Sequence, residues 1–371
     1  MDYSGINAKI SAMRGNLLTR ADYESLCGLD SVERVGMKLR EYPAYQKFMA
    51  GMEGAELHRD MIEQKILLSL SDDFIHIYRF IPSFNIRKYL YAFFLSYEIN
   101  VIKLLLCMVY DERDIEYSVP ELNLLIGEEL HLDVAKLKNA KTVAEFIENL
   151  RGTGLYSMLS DSNAAEGSLF EMETQMDLYY YMNLWKRQKQ DLDSDNRRLM
   201  EKIKGTEVDL RNIMCVCRLK KYYRLNDSRI YAYLIPANHK LKRSQLMKMA
   251  GCADMEALAA EIARSPYGAA FSNPDSSSLG GSNLGGSNLG GSSLGNLEKC
   301  YYREMMKSYD RAAAARPRSL AHTVRYVFYK ELELRNLISL LEGVRYRLSP
   351  REIMLYLNLP KETEARQWSS G

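Results

Sequence analysis

Little in this sequence announces chemistry. Histidine occurs only five times in 371 residues. His58, His76, His131, His239 and His322 fall in no metal-ligand spacing and in no His-Glu-x-x-His arrangement, so each reads as a surface or capping residue. Neither a Gly-x-Ser-x-Gly elbow nor a dinucleotide fingerprint occurs. No catalytic, cofactor or metal residues are therefore expected, and an enzyme built from scattered residues stays only as a third option. The six cysteines form no disulfide-like framework, which suits a reducing compartment. An excess of one charge is missing too. Fifty Lys and Arg face 48 Asp and Glu, a net charge of +2, with no global basic field of the kind nucleic acid requires. The first residues have no apolar core, which argues against a secretory signal. The most apolar run, YLYAFFLSY at 89–97, falls well short of the roughly 20 residues that cross a bilayer. No convincing alternating strand is found. These absences leave an all-helical protein of the cytoplasm.

One segment does stand apart. Residues 272–296 repeat Gly-Gly-Ser-(Asn/Ser)-Leu, with Leu279, Leu284, Leu289 and Leu294 in phase. Gly and Ser at this density cannot offset the entropy of ordering, so a flexible surface insertion is expected. Its glycine pairs lack the Lys-Ser/Thr of a phosphate-binding loop.

The remaining chain reads as helices in pairs: 55–80 with 84–109, 168–190 with 199–223, and 297–315 with 320–344. Apolar residues recur at helical spacing, and Pro82 and Pro317 act as breakers between pair members. The second members share a phrase of acid, aliphatic, polar, Asn, aliphatic. It runs from Glu98 to Ile102 (Val101 in the Asn place), from Asp209 to Ile213, and from Glu333 to Leu337, at intervals of 111 and 124 residues. A second element lies between the pairs. Leu26, Val32, Leu39, Arg40 and Tyr45 meet identical residues 111 positions later. A third copy places Leu246, Met255, Leu258, Ile262 and Tyr267 at equivalent apolar positions. Coordinated copies of this kind mark a threefold internal repeat. The ends fit it, because Leu18–Asp22 resembles Leu348–Glu352, each a helix start of the Ser/Thr-x-x-acid type. Glu prefers the last place of such a box, so the second is the better one. Beginning partway through one unit and ending at the start of another suggests a closed body, because an open solenoid needs capping repeats.

Cys215 and Cys217 are the most conspicuous pair. On a helix they point about 200° apart and cannot converge on one ion, so they read as packing. Arg218–Arg224 mixes bases with aromatics as some nucleic-acid binders do. It reads better as a helix end, where cations complement the dipole. The five repeat-motif residues, Glu98, Asp209, Asn212, Glu333 and Asn336, are the candidates of interest, structural or partner-facing. Buried charge is usually paired, so hydrogen bonds or an ion pair that fix register are favoured over a ring of groups around a central opening.

Three stretches together resemble the C subunit of the V/A-type ATPases, whose eukaryotic relative is the d subunit. They are NAKISAMRG (Asn7–Gly15), LLTRADY (Leu17–Tyr23) and YKELELRNL (Tyr329–Leu337). The acid-aliphatic-x-Asn phrase after each helix pair belongs to the same resemblance. Val101, Ile235–Asn238 in place of a Gly-rich turn, and the insertion depart from the pattern. The resemblance implies an all-α fold of three similar domains about a pseudo-threefold axis, shaped as a funnel. The corresponding division is 1–112, 113–223 and 224–357, with a tail at 358–371. It further implies a non-catalytic coupler without cofactor, peripheral on the cytoplasmic face of a membrane complex. Its partners would be the central-shaft subunits and the proteolipid of the membrane rotor ring, with no nucleic acid. A cytosolic helical-repeat adaptor that binds protein partners is the alternative.

Overall fold

The computed structural model describes residues 3–51, 58–111, 133–161, 168–223, 225–237, 239–272 and 294–360. Every regular element among them is helical, and the protein is all-α. In chain order the helices are α1 (Ser4–Arg14), α2 (Arg20–Cys27), α3 (Val32–Leu39), α4 (Arg59–Phe80), α5 (Phe84–Tyr110), α6 (Val134–Asn139), α7 (Val143–Glu148), α8 (Gly154–Asp161), α9 (Leu169–Asp191), α10 (Ser194–Arg218), α11 (Asp227–Ala232), α12 (Arg243–Ala250), α13 (Met255–Ala263), α14 (Gly268–Ser272), α15 (Leu294–Ala315), α16 (Ala321–Arg345) and α17 (Pro350–Tyr356).

The six long helices lie where the apolar spacing puts them. Two details differ from expectation. The basic-aromatic stretch after Arg218 does not simply end α10; Leu219–Tyr223 winds on as one π-helical turn. The Gly/Ser insertion is also shorter than its sequence pattern, because Ser272 closes α14 and Leu294–Asn296 already belong to α15. Its central part, and hence its expected flexibility, lies outside the described residues, as do positions 113–132 and 361–371.

The short helices owe their starts to caps that recur in phase. Ser31, Thr142 and Asp254 precede α3, α7 and α13, and each side chain accepts the backbone N–H three residues on. Such a cap satisfies one of the donors a helix start leaves open. Behind the caps, Val35, Phe146 and Leu258 are fully buried, as are Leu39, Leu150 and Ile262. Both capping boxes at the chain ends form reciprocally. The Thr19 N–H donates to Asp22 Oδ2 at 2.7 Å and the Ser349 N–H to Glu352 Oε2 at 2.8 Å. Asp thus serves at Asp22 as well as Glu does at Glu352.

The chain divides into two compact units, residues 78–197 and residues 1–77 with 198–371. In the first, α5 packs along α9, with α6 and α7 on α5 and α8 on α9. α5 has 27 residues and a mean hydropathy of 1.7 over its most apolar window, long and apolar enough to cross a membrane. Although the uninterrupted apolar run is short, the whole helix thus exceeds what that run suggested. Thirteen of its residues, from Ile86 to Val109, are buried inside the protein, as in the core helix of a globular unit.

In the second unit α16 is the central element. It packs against α15, α17, α1, α2 and α3, and 17 of its 25 residues are buried. A helix buried this far round takes polar side chains inside with it, and Thr323, Lys330, Glu333 and Asn336 are among its buried residues. Gly343 is required where α17 crosses α16, since a Cβ there would come within 2.7 Å of Ile353. Gly205 on α10 has the same role, with His239 only 2.6 Å from where its Cβ would be.

Candidate functional site

The five repeat-motif residues occupy the insides of the long helices: Glu98, Asp209, Asn212, Glu333 and Asn336 are all buried. Asp209, with no exposed surface, is held by the segment that Gly205 allows to pass close by. The successive N–H groups of His239, Lys240 and Leu241 donate to its carboxylate at 3.1, 2.7 and 3.0 Å, and the Tyr267 hydroxyl donates at 2.8 Å. Consecutive backbone donors form an anion-holding concavity, here filled by a side chain of the same molecule. One turn further on, Asn212 clamps the start of the same segment. Its Nδ2 donates to the Ile235 carbonyl at 3.1 Å, and its Oδ1 accepts the Ile235 N–H at 2.9 Å.

Glu333 repeats the arrangement with different chain segments. The Leu18 N–H donates to Oε2 at 2.5 Å and the Tyr45 hydroxyl to Oε1 at 2.5 Å. Asn336 pairs both ways with Asn358, at 3.2 and 2.8 Å. Leu18 therefore does for Glu333 what Leu241 does for Asp209, and Tyr45 stands for Tyr267. Leu18 and Tyr45 thus complete the module to which Glu333 belongs. Accordingly the Thr19 box matches the start of α12, where the Lys242 N–H donates to Gln245 Oε1 at 3.0 Å. The Ser349 box instead matches Asn226, which caps α11. The two ends resemble each other as sequences, yet they fill successive places in the module.

A cation distinguishes the two. Lys330, fully buried, sits one turn before Glu333, with Nζ 2.8 Å from Oε1 and 3.1 Å from the Tyr45 oxygen. Thr206 occupies the corresponding place before Asp209. Two further tyrosines and an acid adjoin the Glu333 group. The Tyr326 hydroxyl donates to Asp73 at 2.6 Å, and burial, followed by the charge of Glu333, raises the Tyr23 phenol well above its ordinary range. Burial and the adjacent carboxylates likewise raise Tyr45, Tyr267 and Tyr326, so all of these phenols keep their protons and donate.

Glu98 belongs to the other compact unit. The Tyr91 hydroxyl reaches its two oxygens at 3.3 and 3.1 Å. Tyr156, the repeat equivalent of Tyr45 and Tyr267, donates instead to Glu148 at 3.3 Å. Leu155, its neighbour, takes the buried position. Val101, standing where Asn212 and Asn336 clamp backbone, has no amide to do so.

Cys217 is buried, and desolvation pushes its thiol up to about 12; Cys215 is half-buried. The pair thus points to different surroundings, as helical geometry requires. His239 lends its backbone to Asp209, while its imidazole is held below the ordinary value, chiefly by burial.

Sequence reasoning missed Tyr45, Tyr267, Lys330 and Leu18 as the partners of these acids. Two signals were present. Tyr45 and Tyr267 are already aligned in the repeat, and Lys330 lies three residues before Glu333, on the same helix face.

What these groups can do chemically follows from their saturation. The described oxygens of Asp209 and Glu333 are taken up by donors from their own chain, in buried positions that give a substrate no approach. The class is an all-helical repeat protein whose recurring polar residues tie long helices to the segments beside them. Residues 6–356 match the model of the ATP synthase (C/AC39) subunit family, and the chain belongs to that family. It is 28% identical over 270 residues to the C subunit of the A-type ATP synthase of Methanosphaera stadtmanae, covering 72% of this chain and 66% of that protein. With the C subunit from Methanosarcina mazei it shares 22% over 353 residues, covering 94% and 90% of the two chains. With that of Methanocaldococcus jannaschii it shares 21% over 357 residues, covering 95% and 85%.

Proposed function

We propose that this chain is the non-catalytic coupling subunit of a V/A-type ATPase or ATP synthase. In this reading it joins the central shaft of the ATP-processing head to the proteolipid ring, peripheral to the membrane on its cytoplasmic face, and serves proton or sodium transport. The observation that carries the reading is the family match over residues 6–356, which leaves out only the chain's extremities. The names of its relatives, C subunit of an A-type ATP synthase, support a structural place in such a complex with no catalytic task of its own.

The physics of the buried groups supports it. A torque-bearing element needs stiffness, and polar groups that bond to their own backbone supply it without reactivity. We assign Asp209, Asn212, Glu333 and Asn336 as register pins of this kind, and Glu98 as their counterpart in the remaining copy. The three-copy division at 1–112, 113–223 and 224–357, with a tail at 358–371, and a pseudo-threefold funnel belong to the same proposal. It is supported by the caps Ser31, Thr142 and Asp254, which recur at intervals of 111 and 112 residues.

The test is affinity purification of the tagged chain from its own cells in mild detergent, followed by mass spectrometry. Co-purification of the catalytic head subunits and the ring proteolipid is the expected result. Recovery of soluble partners alone, with no ATPase subunit, would overturn the coupling role.

A further inference from the structure

The net charge of +2 conceals one local imbalance. Residues 311–330, the end of α15 and the first part of α16, carry Arg311, Arg316, Arg318, Arg325 and Lys330 and no acid. Lys330 is accounted for by Glu333. Residues 3–19, which include α1, carry Lys9 and Arg14 and again no acid. α1 packs on α16, and Asn7 Nδ2 donates to the Pro317 carbonyl at 2.7 Å, so the two stretches form one surface. Arg311, Arg316 and Arg318 are exposed on it, while Arg14 and Arg325 are half-buried. Arg325 pairs with Asp310 at 2.8 Å, and the same carboxylate accepts the Tyr329 hydroxyl at 2.8 Å. Burial lowers the Arg14 and His322 values, and the crowding of Arg325 lowers both further. The start of α16 adds to the same sign, because its first turn has no acid and its N-cap residue Leu320 offers no side-chain cap. Helix starts ordinarily attract anions, and here cations are gathered instead.

We propose that this surface, formed by α1 and the α15–α16 turn, binds anionic phospholipid headgroups. Its composition favours lipid over an acidic protein segment. Protein interfaces centre on aromatic and large apolar anchors, and none of the exposed large apolar side chains among the described residues lies within 3–19 or 311–325. A cluster of arginines without such an anchor suits a fluid, negatively charged leaflet, where each basic residue strengthens attachment by about fivefold. This contact goes beyond the coupling role and does not depend on it.

The test uses the purified full chain with phosphatidylcholine vesicles, with or without about a third of phosphatidylglycerol, a composition that brings the surface potential into the range where basic clusters respond. Sedimentation with the anionic vesicles only, reversed by high salt, is expected. The triple variant R311E/R316E/R318E should bind more weakly by at least roughly 100-fold, the loss of three positive charges alone, with the three added carboxylates increasing the effect. These exposed side chains leave the core intact, which far-UV circular dichroism and the melting temperature would verify. Equal behaviour with neutral and anionic vesicles, or binding that the triple variant retains, would overturn the proposal. So would failure to bind vesicles by a chain that a polyglutamate column retains, which would assign the surface to an acidic protein segment. No ATPase subunit is present in the assay, so its failure is separate from failure of the coupling role.

Discussion

Asp209 on α10 and Glu333 on α16 hold the same place in two copies of one module, yet they are neutralised differently. Asp209 rests in three successive backbone N–H groups and a tyrosine hydroxyl. Glu333 likewise has a tyrosine hydroxyl, from Tyr45, but receives a single backbone N–H, from Leu18, and makes up the difference with Lys330. The difference follows from connectivity. Residues 239–241 follow Asp209 by 30 to 32 positions, and their backbone N–H groups wrap the acid. The Glu333 module is finished by residues 315 positions away in sequence, and a cation on its own helix supplements the one amide that the distant segment brings. Dipoles suffice where the wrapping is local, and a full charge is used where it is not.

Removing either acid tests this distinction, and the largest effect is expected at Glu333. Glu333→Ala leaves Lys330 buried without its partner, which should cost about 3–5 kcal/mol. Urea unfolding followed by circular dichroism would measure it. The loss should be recovered in the triple variant E333L/K330M/Y45F except for the one part-buried Leu18 N–H left without its acceptor, since replacing a buried ion pair by apolar groups of similar volume is close to neutral. Asp209→Ala strands three backbone donors, of which only the Leu241 N–H makes a fully buried bond; that one costs about 1–3 kcal/mol, while the part-buried His239 and Lys240 N–H groups can turn to water. No second side-chain substitution can rescue it, because the donors are peptide groups. If a second-site apolar change rescued Asp209→Ala as fully as Glu333→Ala, the distinction between dipole and charge would fail.

The tyrosines sharpen the comparison at smaller scale. Tyr267→Phe and Tyr45→Phe each remove one hydrogen bond to a carboxylate, worth about 1.5–3 kcal/mol. Tyr45→Phe should sit at the upper end, since the Tyr45 oxygen also accepts from Lys330. Tyr156→Phe removes an exposed bond to Glu148 and should change stability by less than about 0.5 kcal/mol. A cost at Tyr156 equal to that at Tyr45 would show that the sequence alignment of the three tyrosines outweighs the contacts.

That alignment marks what the sequence could and could not reveal. Leu26, Leu39 and their counterparts were legible because burial on a helix leaves a period of three and four, whereas Val32, read as part of the same face, is only half-buried and Val35 takes the buried place. The buried acids and asparagines were legible because the same phrase returns on three helices. Their partners were less so. Leu18 contributes a backbone N–H, and any residue type supplies one. Tyr156 carries the right side chain, yet Leu155 next to it takes the buried position. Likewise the Thr19 and Ser349 boxes share chemistry and not place: capping is local, whereas position in the module is set by Asn336 and Glu333 far along the chain.

The Glu333 module should also respond to acid through its neighbour Asp73. Burial raises the Asp73 carboxyl above its ordinary 3.8, against the opposing pull of Lys330 and the Tyr326 bond, with Asp72 and Glu333 adding to the rise. The folded state therefore holds this proton at a pH where the unfolded chain has released it. The group's contribution is fully present below 3.8 and is lost as pH rises through the raised value. Asp73→Asn should flatten the stability profile across that window. A profile unchanged by the substitution would mean that other groups govern it. The Asp209 module has no second acid of this kind among its described hydrogen-bond partners, and substituting Asp209's partner Tyr267 should leave that slope in place.

The ends of the two helices give the smallest effect and a difference in sign. α10 runs out through the π turn Leu219–Tyr223. α16 stops with Arg347 in the left-handed region at φ 55°, while the Leu348 N–H returns to the Gly343 carbonyl at 2.9 Å. That return bond is the one by which many helices end, and glycine is the usual residue at its left-handed position. An arginine there bears the Cβ clash with its own carbonyl, about 1–2 kcal/mol. Glycine would relieve the clash but give up more entropy on folding, roughly 0.5–1 kcal/mol. Arg347→Gly should therefore stabilise the protein by about 0.5–1 kcal/mol. Lys221→Gly in the π turn has no clash to relieve and should cost about 1 kcal/mol, as glycine does in a helix. Thermal melting of the two single variants would decide the matter, since opposite shifts are required. Shifts of the same sign would mean that both helix ends answer to chain entropy alone and that the left-handed arginine stores no strain.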